Sequence, residues 1–188
     1  MPESKSKTLK RTPAQEDIHE QWSREYGLAE AEEFSERVFD CLTDFLGAPP
    51  GALILDAGCG SATGSVLQAR RGFRVQAVDF SESALRRARA NVQKAALCDQ
   101  IQIQQEDLLS LSFPDSTFDY ILCWGVLMHI AEAEQALSEL SRVLKPGGFL
   151  VISEINLRSL QRKVFVGLTR ILRKKRALET ETPAGMEC

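Results

Sequence analysis

At 188 residues, with 44% hydrophobic and 26% charged residues, the chain can bury one sizeable core, and the usual size of a domain favours one domain over two. That balance argues against a disordered chain, and a formal net charge of -3 argues against a nucleic-acid binder, which is more often basic. The five cysteines, Cys41, Cys59, Cys98, Cys123 and Cys188, are odd in number, form no CxxC pair and follow no secretory signal, so they read as reduced thiols of a cytoplasmic protein with no metal site. No apolar run approaches the roughly 18 residues of a membrane-spanning helix.

Residues Met1 to Pro13 are polar and basic and have almost nothing to bury, which predicts a disordered tail. A short helix is expected from about Ala14 to Tyr26, with Ile18, Trp22 and Tyr26 on one face. A second, about Glu30 to Leu46, places Phe34, Val38, Leu42 and Phe45 together, and Gly47, Pro49 and Pro50 end it. From Leu53 the period changes. Strands at Leu53–Ala57, Arg74–Asp79, Ile101–Gln105, Tyr120–Trp124 and Phe149–Ser153 alternate with helices at about Thr63–Arg71, Ser83–Ala96 and Glu132–Leu144. Such alternation predicts an α/β fold with a mostly parallel sheet covered on both faces. Lys145-Pro146-Gly147-Gly148 is expected to turn the chain into the fifth strand.

The chemistry concentrates at Leu53–Gly64, LILDAGCGSATG: a buried strand, a glycine turn with Gly58, Gly60 and Gly64, and the start of a helix. A turn of this kind lets backbone approach a ligand closely and aims helix N–H groups at it. Asp79 ends the next strand, where a carboxylate can accept two ribose hydroxyls, so an adenosine-containing ligand is expected. Charge then separates two candidates. Asp56 lies two residues before Gly58, where it would repel a dinucleotide's pyrophosphate and attract an ammonium or sulfonium group. The spacing Gly58-x-Gly60-x-x-x-Gly64 also departs from GxGxxG, and S-adenosylmethionine is favoured over NAD.

Four segments in order, LILDAGCG, the strand ending VDFSESAL, EDLLSLSFPDSTFDYILC and RVLKPGGFLVISE, make residues Trp22 to Glu154 resemble the class I S-adenosylmethionine-dependent methyltransferases, especially the ubiquinone/menaquinone C-methyltransferase-like branch. The resemblance implies a three-layer, doubly wound, Rossmann-like and mostly parallel sheet with N-terminal helices, spanning residues 14–176, with a polar tail over 177–188. It implies that Gly58, Cys59 and Gly60 offer backbone to the methionine end, with Asp56 helping to hold the amino group. Asp79 would hold the ribose and Phe80 would lie against the adenine. Asp107 would accept from the adenine amino group, Leu108 would offer its N–H, and Cys123 and Trp124 would line the site. An aromatic near the N-terminus, Trp22 or Tyr26, would lie over the cofactor. Ala62 stands where the family commonly has glycine.

Each residue also has a plainer reading. Asp107 can cap a short helix, Phe80 can pack on the sheet, Cys59 can be a small inert residue, Cys123 can be packing, and Trp22 and Tyr26 can be ordinary core. Methyl transfer from a sulfonium gains most from positioning and water exclusion, so a general base is optional; His129, just past the fourth strand, is the candidate, or else a histidine at the start of the next helix. The absence of an Asn-Pro-Pro-Tyr type segment after that strand favours a small-molecule acceptor over nucleic acid. A binding module that keeps the cofactor site but methylates nothing is the reading from another class, and a nicotinamide-dependent oxidoreductase is a third.

Between Arg158 and Arg176 there are eight basic residues and no acid, with Leu157, Leu160, Val164, Leu168, Ile171 and Leu172 on one helical face. That stretch, 157–176, is expected to pack on the sheet, with contact to a membrane or lipid substrate as the alternative. The resembled fold closes with a two-stranded hairpin, for which Ala177–Cys188 is too short, so a fragment or shortened chain is expected and its own activity is in doubt.

Overall fold

A computed structural model describes residues 29–154. The chain in this range runs through helix α1 (Ala29–Leu46), strand β1 (Leu53–Ala57), helix α2 (Thr63–Arg70), strand β2 (Arg74–Asp79), helix α3 (Glu82–Lys94), strand β3 (Ile101–Gln105), strand β4 (Phe118–Trp124), a 3-10 turn (Leu127–His129), helix α4 (Ala133–Val143) and strand β5 (Leu144–Ser153). The strands lie in the order β3-β2-β1-β4-β5, and every pairing is parallel.

Parallel strands need covered crossovers, so the central strands are buried on both faces and period-two alternation sorts their side chains between two cores, while the edge strands β3 and β5 stay partly exposed. Ile54, Ala77 and Leu122 face one side with Phe39 of α1, Leu67 and Ala69 of α2, and Ala88 and Val92 of α3. Their chain neighbours Leu55, Val78 and Cys123 face the other with Ala136, Leu140 and Val143 of α4. The α/β class, the parallel sheet and all five strands are therefore as the alternation predicts.

Several boundaries shift for local reasons. Ser81 sits at φ -85° and ψ 112°, and its hydroxyl accepts from Ala84 N at 3.4 Å, so α3 starts one residue earlier than expected. Strand β4 begins at Phe118, whose buried ring meets Phe113 edge-on with centroids 5.0 Å apart. Lys145–Gly148, expected as a turn, is instead an irregularity within β5, where pairing jumps from Phe118↔Leu144 to Tyr120↔Phe149. A Cβ on Gly148 would lie 2.4 Å from the Asp119 carbonyl oxygen, so only glycine lets the strand re-enter the ladder there.

The apolar face of α1 also needs correction. Phe39 is 6% exposed and enters the core, whereas Phe45, expected on the buried face, is 81% exposed. Arg71 helps to fix this rotation: it donates to Asp40, to the Leu67 carbonyl (2.7 Å) and to the Glu36 carbonyl (3.4 Å). Among the described residues, no helix is long and apolar enough to cross a membrane. Trp22, Tyr26, the N-terminal tail and helix, the basic stretch 157–176 and the polar tail lie outside the described residues.

Candidate cofactor site

In a doubly wound sheet a ligand crevice opens where the strand order reverses, outside the strands' carboxyl ends. Here that point is between β1 and β4, which pair through Asp56↔Leu122. The glycine turn leaves β1 at this point and is tied to the neighbouring strand: Gly58 N and Cys59 N both donate to the Val78 carbonyl, at 2.8 and 2.9 Å. Gly60 N donates to Asp79 Oδ2 at 3.0 Å. Gly58 has φ +79°, and a Cβ on it would lie 2.4 Å from Val126 Cγ2, so the position excludes a side chain twice over. Ala62 takes φ 62° and ψ 26°, a left-handed conformation that favours glycine, and its methyl is buried in the first core.

Two carboxylates face this turn. Asp79 Oδ1 accepts from Ser81 N at 2.8 Å while Oδ2 takes Gly60 N, so the group brackets the glycine turn and the start of α3. A carboxylate has about four acceptor positions, which leaves two for a ligand's hydroxyls. Asp56 is buried, and its Oδ2 accepts from Ser65 Oγ at 2.5 Å. Burial pushes its carboxyl up to about 6; the Ser65 hydrogen bond opposes the rise and the Asp79 charge adds to it. The result is a buried acid without a cationic partner among the described residues.

Other expected contributors fall in three places. Phe80 is half-buried next to Asp79, and its carbonyl accepts from Gln105 Nε2 at 2.8 Å. Asp107 makes a turn rather than a helix cap: Oδ1 accepts from Leu109 N at 2.9 Å and its carbonyl accepts from Ser110 N. Leu108 buries its side chain in the second core. Trp124 ends β4 with its ring 5.5 Å from that of Phe39 and is 40% exposed. Cys123 points its side chain away into the second core, where burial pushes the thiol up to about 12. Burial raises Cys59 as well, with Asp56 and Asp79 adding to it. Labelling of the folded protein with iodoacetamide at neutral pH is therefore expected to alkylate the exposed Cys41 and Cys98 and to spare Cys59 and Cys123, as read by peptide mass spectrometry.

His129 ends the 3-10 turn on the exposed side, its N–H donating to the Val126 carbonyl at 3.0 Å. Partial burial lowers its imidazole pKa, and the Glu154 charge works against that. Three contributors escape sequence reading: Ser65 on the Asp56 carboxylate, Val126 against Gly58, and Glu154, whose Oε1 accepts from Val126 N at 3.2 Å and Leu127 N at 2.8 Å. Ser65 carried no clear signal, since the buried residues of its helix mix Ser65 and Gln68 with Leu67 and Ala69.

These features suit S-adenosylmethionine. An unneutralised buried carboxylate fits a cationic methionine end, a turn without side chains admits close backbone approach, and a strand-end carboxylate keeps acceptor positions for a diol. The profile of the methyltransferase-domain family matches residues 55–152, from β1 through β5. The chain belongs to this family, the class I fold whose members use S-adenosylmethionine. It is 33% identical over 132 residues to methyltransferase GfsG of Streptomyces halstedii, covering 70% of this chain and 46% of that one. It is 38% identical over 106 residues to a demethylmenaquinone methyltransferase of Clavibacter sepedonicus, covering 56% of this chain and 42% of the other. Among solved structures, the cyclase SpnF superposes with a TM-score of 0.60 at 28% identity, over 63% of this chain and 44% of that chain. The chain thus spans less than half the length of these relatives.

Proposed function

We propose that the protein transfers the methyl group of S-adenosylmethionine to a small-molecule acceptor, at oxygen or carbon. The observation that carries this reading is the pair Asp56 and Asp79 around a side-chain-free turn at the switch point of the sheet. Asp56 attracts the ammonium and sulfonium charges, and the backbone of Gly58, Cys59 and Gly60 receives the methionine end. Asp79 accepts the ribose hydroxyls, Phe80 flanks the adenine, and Asp107 with the Leu108 N–H reads the adenine edge. Trp124 walls the crevice on the β4 side, with Cys123 contributing backbone only. The cofactor carries its own activation, so the chain's work is to hold donor and acceptor in line and to exclude water. His129, whose imidazole partial burial holds below its ordinary pKa, would take an acceptor's proton. The acceptor class follows the matched relatives, which include enzymes named for a quinone precursor and for a rifamycin derivative.

A second reading has a specific observation behind it: SpnF is named a cyclase rather than a methyltransferase, so this fold also serves proteins named for other reactions. Calorimetry with S-adenosylmethionine and S-adenosylhomocysteine, followed by mass analysis of quinol, phenol, lipid and amine acceptors with the longest available chain, separates the two. A mass gain of one methyl supports the transferase; cofactor binding with no gain on any acceptor favours the non-methylating reading. Binding of a nicotinamide dinucleotide with no sulfonium binding would overturn both.

A further inference from the structure

The loop after β4 is held from the neighbouring strand. Beyond the last β4–β5 pair, Trp124↔Ser153, Gly125 N still donates to the Ser153 carbonyl at 2.7 Å. Glu154 then turns its carboxylate back: Oε1 accepts from Val126 N at 3.2 Å and from Leu127 N at 2.8 Å. These N–H groups open the 3-10 turn Leu127–His129, where no intrahelical acceptor exists for them, and a carboxylate there forms charge-assisted hydrogen bonds. The backbone so fixed carries two things. Val126 projects onto Gly58, its Cγ2 lying 2.4 Å from where a Cβ would stand. His129 follows three residues later, tied to the Val126 carbonyl.

We propose that Glu154 is a positioning residue: its carboxylate fixes the Val126–Leu127 backbone and, through Val126, keeps the loop after β4 in register with the Gly58 turn. The side of the crevice that meets the acceptor and the side that meets the cofactor are thereby held by one group at the end of β5. The inference rests on the crevice being the cofactor site, but the clamp itself is a property of the apo chain and can be measured without any ligand.

The test compares Glu154→Ala and Glu154→Gln in the full chain by amide hydrogen exchange and by calorimetry with S-adenosylhomocysteine. For Glu154→Ala, exchange at Val126 and Leu127 is expected to rise about tenfold, with exchange elsewhere in the sheet unchanged, and the affinity to fall severalfold. Glu154→Gln keeps an acceptor oxygen and should recover most of both effects. Unchanged exchange at those two amides overturns the clamp. Faster exchange there with wild-type affinity overturns the coupling to the cofactor turn. A uniform rise across the sheet with a lower melting temperature shows a merely structural role and overturns the proposal. If the unmodified protein binds no S-adenosylhomocysteine, the cofactor reading has failed, and the exchange data still decide the clamp.

Discussion

Asp56→Asn is expected to make the unliganded protein more stable at pH 7 while costing it the cofactor. The folded-state carboxyl stands at about 6 against an ordinary 3.8, so the fold favours the protonated acid. Below about pH 4 the acid is protonated in both folded and unfolded chains and carries no penalty. Between about pH 4 and 6 the penalty grows, and above that range it is complete, worth about 3 kcal/mol. Asparagine removes that cost and can still accept from Ser65 Oγ, so urea unfolding should show a gain approaching this size at pH 7 to 8 and none near pH 4. Loss of a buried negative charge beside a cationic ligand should weaken S-adenosylmethionine binding by about a hundredfold. A variant less stable than the parent at pH 8 would contradict the assignment of Asp56 as an acid held for a ligand at the expense of the fold.

Gly58→Ala is expected to cost about 3 kcal/mol or more. The backbone at φ +79° penalises any L side chain by roughly 1–2 kcal/mol. The new methyl would also meet Val126 Cγ2 at 2.4 Å and Cγ1 at 2.8 Å, an overpacking that adds about 1–3 kcal/mol. Trimming the partner separates these two contributions. The double variant Gly58→Ala with Val126→Ala should recover the steric part and leave the backbone part, giving a non-additive cycle. Strict additivity in urea unfolding would show that the two residues do not touch.

The central strands were legible because parallel strands buried on both faces leave near-continuous apolar runs, as in LILDA and RVQAVD, whereas the edge strand IQIQQ is mostly exposed and shows only through its alternation of isoleucine and glutamine. The turn between β1 and α2 was legible for a related reason: glycines and two strand-end aspartates carry their chemistry in local spacing. The face of α1 was legible only in part: Leu42 packs against the core as expected, but a helix with aromatics at 34, 39 and 45 offers more than one apolar stripe. The docking that places Phe39 inward and leaves Phe45 out involves Arg71, which reaches back from the end of α2. Likewise, nothing in the spacing of Glu154 and Val126, 28 positions apart, announces that strands β4 and β5 end side by side. The Lys-Pro-Gly-Gly segment misled in the opposite sense, since its turn chemistry is absorbed as an irregularity within β5.

Cofactor binding at Asp56 is the claim on which the rest depends, and calorimetry of S-adenosylhomocysteine across about pH 5 to 8, repeated in buffers of different ionisation enthalpy, tests it most directly. A bound cation lowers the Asp56 carboxyl below its free value of about 6, so binding near that pH should release a proton, and affinity should fall as the pH drops through it. No binding at any pH, or an affinity that does not change through pH 6 and is unaffected by Asp56→Asn, would contradict it.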